Sequence, residues 1–136
     1  FSTSQFPIFA YLADCIISHN MWFATDDYTI EQYEKYGLKQ LTPPYAQPVQ
    51  FNRNPILFIL ALADTLEPIK TCSNLDISPL DVLNNIECEF NYKQIILTFK
   101  DNDMFNRMAN KINGLNNWLD VNVHINNKNN EIVVRF

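Results

Sequence analysis

Hydrophobic and polar residues follow two different periods along this chain. In the first half, apolar residues recur every three or four positions, which is the period of an amphipathic helix. From about residue 86 onward, apolar and polar residues alternate as in half-buried strands, and one further helical stretch separates two pairs of alternating segments. The pattern predicts an α+β protein: an N-terminal helical part, followed by a small ββαββ antiparallel sheet with one helix on its face.

Three helices are predicted in the first half. One runs from Pro7 to Phe23, and a shorter one runs from Ile30 to Tyr36 and ends at Gly37. The third has the clearest start signal, because Asn54 suits the N-cap and Pro55 suits the first helical position. The predicted inward residues are Ile8, Leu12, Cys15, Ile16 and His19 on the first helix, and Leu57, Leu60, Ala61 and Asp64 on the third.

The second half opens at Ser78-Pro79, which predicts a short helix toward Asn85. A longer helix is predicted over residues 103–118, capped by Asp101 or Asp103. The predicted strands are Ile86 to Phe90, Lys93 to Phe99, Val121 to Ile125, and Ile132 to Phe136. The chain therefore divides into a helical part over residues 1–74 and a small α+β domain over residues 75–136.

Composition and charge narrow the classes of partner. A net charge of −5 without a basic run argues against binding to phosphate backbones, so no nucleic-acid partner is predicted. The longest apolar stretch, Pro55 to Ala63, is far shorter than the roughly 20 residues of a membrane helix, so no membrane partner is predicted. Cys15, Cys72 and Cys88 form no CxxC pair, which suits buried thiols in a reducing cytoplasm.

Two side chains stand out as candidates for chemistry. Asp64 shares a predicted inward stripe with apolar residues, where a carboxylate needs an ion pair, a hydrogen bond, a proton or a bound cation. A salt bridge between helices satisfies this need as well as a functional site does. His19 lies on the predicted apolar side of its helix, where a histidine commonly donates to a carbonyl. Glu67 either shares the site of Asp64 or is solvated, and His124 is predicted to face the surface.

The residues around these two candidates resemble a known family. The segment Cys15-Ile16-Ile17-Ser18-His19-Asn20, the tyrosine-rich linker and the helix from Asn54 to Glu67 are similar to the last helices of HD-domain metal-dependent phosphohydrolases. The resemblance covers roughly residues 8–70. The family's final metal ligand is an aspartate after an apolar-apolar-x-Ala sequence, which corresponds to Asp64, and a later histidine of some members corresponds to His19. The resemblance thus implies that Asp64 binds a divalent metal (Mn, Mg, Fe or Zn) and that His19 is a catalytic residue near a phosphate-containing small molecule.

The chain departs from the family at its defining pair. Its two histidines, His19 and His124, are followed by Asn20 and Ile125, so the adjacent His-Asp pair is absent. Hydrolytic metal sites use three or more protein ligands, so an upstream segment or a second chain must supply the others. Two hypotheses follow: a part of an HD-type phosphohydrolase that is incomplete and inactive by itself, or a non-catalytic module that binds a partner or another subunit.

Overall fold

The computed structural model describes residues 5–21, 27–39, 42 and 47–136. Six α-helices and four strands lie in these ranges, and the α+β class is confirmed. The helices are α1 (Phe6–Ser18), α2 (Asp27–Glu34), α3 (Pro55–Leu66), α4 (Pro68–Thr71), α5 (Pro79–Asn84) and α6 (Asn102–Ile112). The strands are β1 (Ile86–Phe90), β2 (Gln94–Phe99), β3 (Asn122–Asn126) and β4 (Glu131–Arg135). Short 3-10 turns occupy Ser73–Leu75 and Leu115–Asn117.

The chain forms two compact units. The helical unit comprises residues 1–64 together with 117–120, and the sheet unit comprises residues 65–116 together with 121–136. In the part of the chain that the structure describes, no helix is long and apolar enough to cross a bilayer.

Helix α1 is shorter than predicted, and its buried side is a different one. It ends at Ser18 rather than at Phe23, and Trp22 and Phe23 lie outside the described residues. Cys15 and Ser18 are buried, whereas Ile8 and Ile16, which were predicted to face inward, are exposed. The physical reason lies in the composition of α1, because a helix that is apolar around most of its circumference gives little periodic signal for its buried face.

The other two helices of this unit follow their local signals. Helix α2 spans Asp27–Glu34 rather than the predicted Ile30 to Tyr36, but Gly37 caps its end as predicted and takes the left-handed conformation with φ of 71°. The N–H of Gly37 donates to the carbonyl of Glu34, and the N–H of Leu38 donates to that of Tyr33, each at 3.0 Å. Helix α3 begins at Pro55 as predicted, yet its buried stripe is rotated from the predicted one. The stripe consists of Phe58, Ala61, Leu62 and Thr65.

A contact distant in sequence joins two segments of the helical unit. The N–H of Val49 donates to the carbonyl of Trp118 at 2.7 Å, and the N–H of Asp120 donates to the carbonyl of Val49 at 3.0 Å. Val49 and Leu119 thereby form a parallel bridge, and both side chains are buried. Residues 117–120 consequently belong to the helical unit although the chain around them belongs to the sheet unit.

The sheet unit has the predicted ββαββ order. Its strands lie in the order β1-β2-β4-β3, and all neighbours are antiparallel. Residues directly opposite each other in such pairs share a face, which places Leu97 beside Ile132. Helix α6 covers this face, since the rings of Phe99 and Phe105 lie 6.1 Å apart. The core on this side consists of Leu97, Phe99, Ile132 and Val134 from the sheet and Met104, Phe105, Met108 and Ile112 from α6.

Side-chain caps fix where the helices of the sheet unit begin. The carboxylate of Asp101 accepts a hydrogen bond from the N–H of Met104 at 2.8 Å, which makes Asp101, one of two predicted candidates, the N-cap of α6. The hydroxyl of Ser78 accepts from the N–H of Asp81 at 3.2 Å and caps α5 as predicted. Helix α4 contacts both α5 and α6.

Replacing Met108 by alanine tests the contact between α6 and the sheet. The side chain is fully buried, so Met108→Ala loses apolar contacts and leaves a cavity that costs about 2–5 kcal/mol of unfolding free energy. Asn110→Ala on the exposed side of the same helix is the matched control and is expected to change stability by no more than about 0.5 kcal/mol. Urea titrations followed by circular dichroism measure both. Equal stabilities of the two variants would contradict this assignment of the core.

Candidate functional site

His19 lies just after α1, and both of its ring nitrogens have local partners. The backbone N–H of His19 ends the helix by donating to the carbonyl of Cys15 at 3.1 Å. The ring Nδ1 is hydrogen-bonded to the carbonyl of Ile16, which requires a proton on that nitrogen. Nε2 then accepts from the side-chain amide of Asn20 at 3.1 Å. A metal ion that bound Nε2 would have to displace Asn20.

Asp64 lies one residue before the last fully buried member of the α3 stripe, Thr65. Its side chain is half-buried, so the carboxylate flanks the stripe and is not enclosed by it. Asp64 was predicted to be a buried charge that must be compensated, and a half-buried carboxylate needs less compensation than a fully buried one.

Asp64 and His19 offer ligand atoms of the type that divalent metals bind, but two ligands are too few for a hydrolytic metal site. A carboxylate oxygen of Asp64 and Nε2 of His19 are ordinary metal ligands, and hydrolytic sites add at least one more. Among residues 5–21, 27–39, 42 and 47–136, no group of three or more histidine, cysteine, aspartate and glutamate side chains is arranged to hold a metal ion. The metal and catalytic roles of Asp64 and His19 therefore remain predictions.

Glu67 has a structural role that the sequence analysis missed. Its carboxylate accepts hydrogen bonds from the N–H groups of Ile69 at 2.7 Å and Lys70 at 2.9 Å, and so it caps α4. The signal was present in the sequence, because Pro68 follows Glu67 and proline is favoured at the first helical position. His124 is exposed on β3 as predicted.

Tyr11 connects α1 to the start of α3. Its hydroxyl is hydrogen-bonded to the Cys15 thiol and to the backbone of Ile56, in the first turn of α3. Partial burial is the largest cause that raises the pKa of Tyr11, the Cys15 thiol adds to it, and the Ile56 contact opposes it. The hydroxyl consequently stays protonated and acts as a structural hydrogen-bonding group.

The three cysteines have different environments. Cys15 and Cys72 are buried as predicted, but Cys88 is exposed on β1, and the prediction of three buried thiols is wrong for it. The error arises because Cys88 was placed by composition, whereas β1 lies at an edge of the sheet. Burial raises the pKa of Cys72, and nearby Arg107 and Lys111 offset this only in part.

Trp118 presents a polar atom that lacks a partner among the described residues. The side chain is 2% exposed, and its indole N–H has no hydrogen-bond acceptor there. An unmade hydrogen bond of this kind costs about 1–3 kcal/mol. The bridge between Val49 and Leu119 holds the backbone around Trp118 in place.

Comparison of the chain with protein-family models, with curated proteins and with solved structures found no match.

Thiol reactivity tests the environments of the cysteines. At pH 8 we expect a disulfide reagent such as DTNB to label Cys88 quickly and Cys72 slowly, because burial blocks access to Cys72 and its raised pKa leaves less thiolate. Cys88→Ser should remove the fast phase alone, and denaturant should restore rapid labelling of the two remaining thiols. Because the pKa of Cys72 is raised in the folded protein, the neutral thiol contributes to the free energy of unfolding below its ordinary pKa. This contribution is lost as pH rises through the raised pKa. Equal labelling rates in the native protein would contradict this description.

The resemblance to phosphohydrolases predicts that His19 and Asp64 border one metal cleft. In that case paramagnetic Mn²⁺ should broaden the ring resonances of His19 at substoichiometric amounts, and Asp64→Asn should abolish the effect because it removes the anionic ligand. The exposed His124 is the internal control within the same spectrum. Equal broadening of both histidines, or broadening that persists in Asp64→Asn, would rule out the shared metal cleft.

Proposed function

We propose that this chain is a subunit-interaction module that associates with a second copy of itself through one side of α1. The observation that carries the proposal is the exposure of Phe9, Ile16 and Ile17, of which Ile16 is 61% and Ile17 is 56% exposed. At 100° per residue these three side chains lie on the side of α1 away from the buried Cys15 and Ser18. Among the described residues, Cys15 and Ser18 are buried on one side of α1, whereas Ile16 and Ile17 on the opposite side are more than half exposed.

The charge distribution favours a second copy as the occupant. The only charged residue of α1 is Asp14, which is exposed outside the arc of Phe9, Ile16 and Ile17. Two copies can pair these arcs about a twofold axis without placing like charges opposite each other. In an antiparallel arrangement the aromatic end of one helix would lie beside the isoleucine end of the other, which makes the arc self-complementary.

Sedimentation of the parent and two lysine variants tests the proposal. We expect the parent to dimerise in the micromolar range and Ile16→Lys to weaken the dimer. Burying the half-exposed side chain of Ile16 contributes about 1 kcal/mol to the free energy of dimerisation, and a twofold axis buries it once in each copy. Losing both contributions should raise Kd roughly 30-fold. Tyr28→Lys on α2 replaces another exposed apolar side chain and is expected to leave Kd unchanged. A parent that remains monomeric at 100-fold higher concentration, or equal effects of both variants, would refute the proposal.

The phosphohydrolase hypothesis is the second candidate, and it is supported by the resemblance of the residues around His19 and Asp64 to the last helices of HD-domain phosphohydrolases. In that function the metal would supply an activated water and polarise a phosphoryl oxygen of the substrate. Asp64 would hold the metal, His19 would contact the phosphate side, and an upstream segment or a second chain would provide the remaining ligands.

A further inference from the structure

Strand β1 is an edge of the sheet, and its hydrogen-bonding groups divide between two directions. The N–H of Lys100 donates to the carbonyl of Asn85 at 2.9 Å, and the N–H of Asn91 donates to the carbonyl of Gln94 at 3.0 Å. These bonds mark the two ends of the β1–β2 ladder. Since alternate residues make the bonds of an antiparallel ladder, Glu87 and Glu89 direct their backbone groups toward β2.

The intervening residues Ile86, Cys88 and Phe90 therefore direct their N–H and C=O groups away from the sheet. No backbone partner lies on this outer side in the part of the chain that the structure describes. Three donors and three acceptors thus form a row along the edge, which is the template that an added strand pairs with.

The two sides of this edge differ in chemistry. Ile86, Cys88 and Phe90 lie on the face that α6 covers further along the sheet, and Phe90 is 74% exposed. Leu80 and Leu83 of α5, the helix that contacts β1, are exposed as well. On the other face the same strand carries only carboxylates, those of Glu87 and Glu89. Lys100 pairs with Glu87 at 3.5 Å, and no ion pair is made by Glu89 among the described residues.

A second copy of β1 does not suit this edge. In an antiparallel pair, the outward-facing residues of one strand must lie opposite outward-facing residues of the other. The glutamates then lie opposite glutamates in each register that overlaps them, and like charges directly opposite are destabilising. The negative charge of the edge therefore repels a second copy of β1 and is complementary to a basic strand.

We propose that the free edge of β1 binds an extended segment of another protein in which basic and apolar residues alternate. Backbone hydrogen bonds to Ile86, Cys88 and Phe90 would hold the segment. Its lysine or arginine side chains would lie beside Glu87 and Glu89, and its apolar side chains beside Cys88 and Phe90. The edge of β1 belongs to the sheet unit and α1 belongs to the helical unit, and the two proposals rest on different residues, so either can fail without the other.

The probe is the peptide Lys-Val-Lys-Val-Lys-Val-Lys with both termini capped. Its binding is measured in amide NMR spectra of the full chain. Binding should shift the amides of Ile86, Cys88 and Phe90 and slow their hydrogen exchange, and it should weaken as salt rises. The same pattern with glutamate in place of lysine should not bind. A peptide of identical composition with its lysines and valines in separate blocks should bind at least about ten-fold more weakly, because it cannot match both faces.

Two variants test the assignment of the edge. Cys88→Pro removes the central outward N–H, and the β1–β2 ladder should survive because proline is tolerated where the N–H faces solvent. It should abolish binding, whereas Cys88→Ser, which keeps the N–H, should bind like the parent. Glu89→Lys reverses one charge without touching the backbone and should weaken binding about ten-fold, while the same charge change at the exposed Glu31 of α2 should not.

Four results would overturn the proposal. The first two are equal binding of the acidic and the basic peptide, and equal binding of the alternating peptide and the peptide whose lysines and valines stand in separate blocks. The other two are amide shifts confined to residues outside β1, and a Glu89→Lys variant that binds the alternating peptide as tightly as the parent does. Should Cys88→Pro disturb the amides of Glu87 and Glu89 without peptide, that variant is set aside and the four results above decide.

Discussion

The contact between α6 and the central strands β2 and β4 is the interaction on which the sheet unit depends. Met104, Phe105, Met108 and Ile112 are fully or almost fully withdrawn from water against the apolar face of these strands. Because side chains alternate between the faces of a strand, a slip of one residue in either strand would bring polar side chains beneath the helix. The same burial therefore fixes the register of both strands, and the caps at Asp101 and Ser78 only set where the helices begin.

The fixed register has a consequence at the edge of the sheet. Once Ile86 is paired with Phe99, the alternation along the strand determines which backbone groups of β1 bond to β2 and which face outward. The same alternation puts all the apolar side chains of β1 on one face and both glutamates on the other. Helix α6 contacts β2 without covering Phe90, which is exposed. Within the described part of the chain, the edge therefore combines unpaired backbone groups, an exposed aromatic ring and negative charge.

Local signals in the sequence were sufficient for much of the fold. The cap and proline at Asn54 and Pro55 predicted the start of α3, Gly37 predicted the end of α2, and alternation predicted the ββαββ order. The errors arose where the pattern does not distinguish the sides of an element. Helix α1 is apolar around most of its circumference, so spacing alone wrongly placed Ile8 and Ile16 inside. The bridge between Val49 and Leu119 joins residues far apart in sequence, and no local signal encodes it.

The candidate site illustrates the same limit in its chemistry. Residue type and helical spacing identified Asp64 and His19, but they could not predict that Asn20 and Ile16 engage the His19 ring or that Asp64 is only half-buried. The subunit-interaction hypothesis requires a second copy to cover the exposed side of α1, whereas the phosphohydrolase hypothesis depends on the residues around Asp64 and His19. The quantity that tests the phosphohydrolase hypothesis is the number of metal ligands around Asp64, because hydrolytic metal sites use three or more protein ligands.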